Sequence, residues 1–182
     1  MHRLISSQRL ASLSAQELAA AIRPLFEDAT WLATRLAGRS FSGWPAVIDA
    51  SEAALRGASD AEKAAVLRSH PRLGSPREEL KQRSATSWRE QGADRDPGET
   101  VFEGLSAAND RYEARFDFPF VDWVAGRPLE EMIPVIESHL ACDRSSELSR
   151  GCRAIVDIAR DRLARIARIE KTGGEAGCPS CS

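Results

Sequence analysis

Apolar residues return at three- and four-residue spacing along most of this chain, the period of helices with one buried face. Leu18, Ala19, Ala20 and Ile22 follow Ser14-Ala15-Gln16-Glu17. Its serine and glutamate have the spacing of a capping box, so the pattern predicts a first helix from there to about Arg23-Pro24. Pro24 is suited to open a second helix through Phe26, Trp31, Leu32 and Leu36, ending near Gly38. Phe41 to Pro45 reads as a turn into a third helix that reaches about Arg56. Ser59-Asp60-Ala61-Glu62 is a second capping box, opening a short helix from Ala61 to Ser69. That helix delivers His70 and stops there, because the residue before a proline is pushed out of the α region.

Leu73-Gly74-Ser75-Pro76 reads as a turn. From Arg77 to Gly92 the pattern is helical but weakly amphipathic, with Leu80, Ser84, Ser87 and Gln91 on one face. That face is too polar for ordinary core; it is either solvated or lines a polar cavity. After a connection from Gly92 to Gly98, Asp96-Pro97-Gly98-Glu99 starts a long helix striped by Val101, Leu105, Ala108, Tyr112 and Phe116. Phe116 to Val121 is an irregular aromatic segment broken by Pro119. Pro128 opens another helix, in which Pro134 sets a late start or a kink. A last helix runs from about Ser145 to Ile169 on the stripe Leu148, Cys152, Ile155, Ala159, Leu163 and Ile166. Arg150, Arg153, Arg160, Arg165 and Arg168 fall on opposite or flanking faces, whereas Arg162 lies within roughly 50° of the stripe's centre.

With no strand series, phosphate loop, nucleophile elbow, heptad run or internal repeat, the pattern predicts an all-α, single-domain bundle of about seven or eight helices. The helical domain spans residues 1–170, and residues 171–182 form a flexible, disordered tail containing Gly173, Gly174, Cys178 and Cys181.

Composition narrows the classes. The chain has 182 residues, 42% hydrophobic and 29% charged, with net charge -2. Nothing basic points to nucleic acid. No apolar run approaches the ~18 residues of a membrane span, and no signal-peptide core follows Met1, so a cytoplasmic protein is expected. The four cysteines, Cys142, Cys152, Cys178 and Cys181, do not form the framework of a small secreted domain. Cys178-Pro179-Ser180-Cys181 has no second pair to complete a zinc site.

Only three histidines are present: His2, His70 and His139. His70, on a rigid X-Pro joint at a helix end, is a proton handler or else a capping side chain satisfied by the last carbonyls. His139 and His70 lack ligand spacing, and no metal is expected. Arg162 on its apolar stripe is a fixed charge for an anion, a snorkelling side chain or half of a structural ion pair. Together, His70, Glu90, Ser87, Gln91, Arg162 and the segment Phe118-Pro119-Phe120 suit a cofactor-free reaction on a small anion. The arginine would hold a carboxylate, His70 and Glu90 would move protons, and the aromatic turn would exclude water.

His70-Pro71-Arg72-Leu73-Gly74, Ser87-x-x-Glu90-Gln91, Asn109-x-x-Tyr112-Glu113-x-x-Phe116-Asp117-Phe118-Pro119-Phe120, Glu147 and Arg162-Leu163 follow one another in an order that resembles the 2-oxo-4-hydroxy-4-carboxy-5-ureidoimidazoline (OHCU) decarboxylase family. Trp31 and Phe41 also match its aromatic positions. The resemblance covers about Ser14 to Ile169. It implies an all-helical, homodimeric carboxy-lyase that takes an anionic ureidoimidazoline to (S)-allantoin and carbon dioxide in urate degradation, without metal or organic cofactor. It implies His70 as the catalytic histidine with Pro71 as its rigid neighbour. Glu90 would contact the substrate with Ser87 alongside, and Arg162 would meet its carboxylate or ring oxygens. Phe118, Pro119, Phe120 and Val121 would contact the ring through backbone groups. One departure is Asp117, where the family often has glycine; it adds charge near the expected pocket. The alternative is a helical binding or regulatory module with the same fold and no turnover.

Overall fold

Both capping boxes form. The Ser14 and Ser59 hydroxyls accept from the backbone N–H of Glu17 and Glu62, and the two glutamates accept from the serine N–H groups in return, at 2.9 and 2.8 Å. They start α1 (Ala15–Phe26) and α4 (Asp60–Arg68). The computed structural model describes residues 4–27, 30–75 and 98–175. Those residues hold seven α-helices, two short 3-10 helices and no strand. The others are α2 (Thr30–Leu36), α3 (Trp44–Arg56), α5 (Glu99–Phe116), α6 (Met132–His139) and α7 (Arg144–Glu175).

Pro24 departs from its expected place. It lies inside the last turn of α1, and the second helix opens at Thr30 instead. Continuing past the proline buries Leu25 and Phe26, at 0 and 1% exposure, beside Leu18 and Ile22, which offsets the backbone bond a proline cannot donate. The helix then ends at Glu27, whose φ of 59° and ψ of -126° are unusual for a residue with a side chain. Pro134 sets a late start: Pro128 precedes a 3-10 turn (Leu129–Glu131), and the α-helical geometry begins only at Met132. The last helix runs to Glu175, past the expected end at Ile169. The expected helix from Arg77 to Gly92 and the Cys178–Cys181 pair lie outside the described residues.

The chain divides into two compact units, residues 1–51 with 156–182, and residues 52–155. In the first, α1 packs on α2 around Leu18, Ile22, Leu25 and Leu32. In the second, α5 packs on α6, and its core gathers Leu67, Leu105, Tyr112, Phe116, Met132 and Ile155. A Cβ on Gly151 would stand 2.7 Å from the Leu67 side chain, so glycine lets α7 run close against α4. Among the described residues, no helix is long and apolar enough to cross a membrane.

Candidate active site

His70 is 6% exposed and sits just past α4. Its backbone N–H donates to the Leu67 carbonyl at 3.1 Å, and its Nδ1 lies 3.3 Å from the Val66 carbonyl. A carbonyl only accepts, so this contact assigns the hydrogen of the neutral ring to Nδ1 and the lone pair to Nε2. The capping geometry weighed as an alternative role is thus present, and it fixes the orientation of the ring.

The loop after His70 is fastened to α5. Asn109 Nδ2 donates to the Leu73 carbonyl at 2.9 Å. Arg72 donates to the Ser106 carbonyl at 2.7 Å and pairs with Asp110 at 2.6 Å and Glu113 at 3.3 Å. Gly74 has φ of 73°, and a Cβ there would meet Leu105 Cδ1 at 2.9 Å, so only glycine fits this turn without a shift.

The aromatic segment, 118–124, has no repetitive structure. Phe118 and Phe120 turn inward and set their edges against Tyr112, with ring centroids 5.9 and 5.2 Å away. Carbonyls at and beside the turn accept from arginines: Phe116 from Arg144 at 3.2 Å, Asp117 from Arg68 at 2.9 Å and Val121 from Arg150 at 2.9 Å. Asp117 occupies the left-handed conformation, with φ of 64°, where the family's glycine would be unstrained. Its carboxylate is 81% exposed and pairs with Arg68. The charge expected near the pocket is directed to solvent and neutralised.

Behind the turn lies a polar network that the sequence reading missed. Glu147, 1% exposed, accepts from the Tyr112 hydroxyl at 2.6 Å, from Arg150 Nε at 2.9 Å and from His139 Nδ1 at 2.8 Å. Burial alone would raise the Glu147 carboxyl, but the bonds from Tyr112 and Arg150 outweigh it and hold the group below the usual carboxylate range. Burial, then the bond to Glu147, pushes the Tyr112 phenol well above its ordinary value. Arg150, placed by periodicity on an outward or flanking face, has a side chain only 17% exposed. The available signal was the i, i+3 spacing of Glu147 and Arg150 near a helix start.

His139 also gains partners that its sequence spacing did not suggest. Its Nδ1, Cys142 Sγ and Glu147 Oε1 lie within 4.8 Å of one another, a donor set of the type that holds zinc. Protein groups already engage both Glu147 oxygens. Burial pushes the Cys152 thiol up to about 11, which makes it inert near neutral pH.

In the other unit, Arg162 is 3% exposed. It pairs with Glu27 Oε1 at 2.7 Å and donates to the Leu25 carbonyl at 3.1 Å. Of the three readings of this side chain, the structure displays the buried ion pair. Ser87, Glu90 and Gln91 lie outside the described residues. Among the expected site residues, the second unit holds His70, Pro71 and Phe118 to Val121, tied through Arg68, which precedes His70 by two residues and donates to the Asp117 carbonyl.

These features define an all-helical protein with a main-chain-anchored histidine and an arginine-braced aromatic turn. The sequence model of the OHCU decarboxylase family matches residues 11–164, and the chain belongs to that family. It is 28% identical over 163 residues to the uric acid degradation bifunctional protein of Bacillus subtilis, covering 86% of this chain and 32% of that one. The chain thus spans about a third of that relative's length. It is 27% identical over 166 residues to the 2-oxo-4-hydroxy-4-carboxy-5-ureidoimidazoline decarboxylase of Haloferax volcanii, covering 90% of this chain and 96% of that one. Its fold is similar to a crystal structure of OHCU decarboxylase in the presence of (S)-allantoin, with a TM-score of 0.59 at 16% identity, over 78% of this chain and 91% of that one.

Proposed function

We propose that this protein decarboxylates OHCU to (S)-allantoin, as a cytoplasmic, homodimeric enzyme of urate breakdown that uses no metal or organic cofactor. The observation that carries the reading is His70: it lies within the stretch matched by the family model, and its ring is fixed through Nδ1 by the Val66 carbonyl. Loss of carbon dioxide leaves its electron pair in the ring as an enolate, and the face that receives the next proton sets the product's configuration. The Nε2 lone pair takes the proton that the substrate's 4-hydroxyl gives up on becoming a carbonyl, and a ring held in one orientation returns it to one face of the enolate; acid–base transfer of this kind is typically an effect of about 10²–10⁴-fold. In this reading Glu90 shares the proton transfer. Arg162 draws the substrate's carboxylate or ring oxygens, and Ser87, Gln91, Pro71 and the backbone of Phe118 to Val121 hold the ring.

The test is circular dichroism of a coupled reaction in which urate, urate oxidase and hydroxyisourate hydrolase generate the substrate in the cuvette. Rapid growth of a signed allantoin band is expected, and its loss in a folded His70→Ala variant. Unsigned decay at the rate of the blank would overturn the proposal and favour the binding-module alternative; full turnover in His70→Ala would remove the histidine from its role.

A further inference from the structure

We propose that Arg150 is a positioning residue for the aromatic turn, and through the turn for the stereochemistry of the reaction. This rests on the reading above, in which the turn's backbone meets the substrate. A segment without repetitive structure draws its geometry from whatever satisfies its backbone groups. Arg150 reaches it three ways at once. Its terminal nitrogen donates to the Val121 carbonyl at 2.9 Å, and its guanidinium carbon lies 4.2 Å from the Phe120 ring centroid. Its Nε donates to Glu147 at 2.9 Å, and a carboxylate 3.9 Å away on Asp122 adds attraction.

The far side of this brace is itself fixed. Glu147 is held by Tyr112 and His139, and the His139 ring lies 5.5 Å from that of Phe120. Arg127 pairs with Asp122 at 2.9 Å and donates to the carbonyls of Trp123 and Val124 at 2.9 and 3.0 Å. The segment is therefore held at Val121 by Arg150 and its Glu147 network, and at Asp122 to Val124 by Arg127. A planar five-donor fork can serve the carbonyl, the carboxylate and the ring face together; a lysine ammonium, a compact point charge, cannot.

The experiment compares wild type with Arg150→Lys, and with Tyr112→Phe, which keeps the ring and loses the hydroxyl. Three readouts are taken: amide hydrogen exchange by segment, kcat against KM, and the enantiomeric excess of the allantoin formed. In Arg150→Lys, amides of 118–124 are expected to exchange at least about tenfold faster while those of α4 keep their rate. Misplaced backbone groups should lower kcat about tenfold with KM changed less than about threefold, and should lower the enantiomeric excess. Tyr112→Phe is expected to move all three in the same direction by less, and decides the matter if the lysine variant does not fold. Unchanged exchange in the turn overturns the proposal. So does faster exchange with wild-type kcat and enantiomeric excess, since Arg150 would then be structural only. If wild type itself gives no signed allantoin, the proposed function falls, and exchange in the turn alone decides whether Arg150 holds it.

Discussion

Helix α7 carries two guanidinium groups, one in each unit, that each meet a carboxylate and a backbone carbonyl. Arg150 has the carboxylate of Glu147 and the carbonyl of Val121; Arg162 has the carboxylate of Glu27 and the carbonyl of Leu25. The difference lies in how the carboxylate arrives. Glu147 stands one turn earlier on the same helix, in ordinary helical backbone, and shares its charge with Tyr112 and His139. Glu27 comes from the end of another helix with a backbone conformation that a side chain disfavours. Such conformations cost on the order of 1–3 kcal/mol and persist where the surroundings over-determine them, most often at functional sites. Arg150 belongs to a relaxed brace, whereas Arg162 is held by a strained one. That asymmetry gives the two arginine sites different expected responses to substitution.

Removing each arginine gives the largest expected effect. Arg162→Ala breaks a buried ion pair and should lower stability by roughly 3–5 kcal/mol. Arg150→Ala leaves Glu147 with two donors and should cost less, about 1–3 kcal/mol. Urea unfolding of both variants checks the order. A loss below about 1 kcal/mol for Arg162→Ala would mean that the Glu27 pair is not what holds the guanidinium.

The strain can be isolated once the ion pair is gone. In an Arg162→Met background, Glu27→Gly should be more stable than Glu27→Gln by roughly 1 kcal/mol, the relief of the positive φ minus the greater chain entropy of glycine. Equal stability of the two double variants would show that the backbone at Glu27 stores no energy.

What the sequence could show follows from the range of the interaction. The capping boxes at Ser14 and Ser59, the stop at His70-Pro71 and the late start at Pro134 are decided within four residues, and each forms. Pro24 was misplaced because burial of Leu25 and Phe26, a tertiary gain, overrides the local penalty. Arg162 was legible as a charge on an apolar stripe, but its partner Glu27, 135 positions away, was not. Arg150 showed only its i, i+3 spacing to Glu147; its bond to Val121 in an irregular loop, and that of His139 to Glu147 on a neighbouring helix, leave no mark in the periodicity.

Acid should test the Glu147 site by itself. Glu147 has its folded pKa lowered, so its contribution to stability is complete above the ordinary carboxylate value of about 4.3 and is lost as pH falls through its own lower value. Thermal melts should be flat across pH 7 to 5 as far as this group decides, then decline below about pH 4, and Glu147→Gln should show a shallower decline. An identical acid slope in Glu147→Gln would move the effect to other carboxylates.

The smallest effect is expected at Asp117. Its residue type departs from the family's frequent glycine, yet its carboxylate faces solvent and meets Arg68 on the surface. Exposed pairs contribute about 0–1 kcal/mol, and glycine at φ of 64° relieves a comparable strain. Asp117→Gly should therefore change stability by less than about 1 kcal/mol, because the two terms oppose each other. The Arg68 bond to the Asp117 carbonyl does not depend on the side chain, so the turn keeps that anchor. KM for the substrate should stay within about twofold of wild type, since the removed charge points away from the turn's interior. A larger fall in KM would show that Asp117 repels the anionic substrate. It would then be a determinant of affinity, and the braced turn would have a charged outer edge as well as a buried inner one.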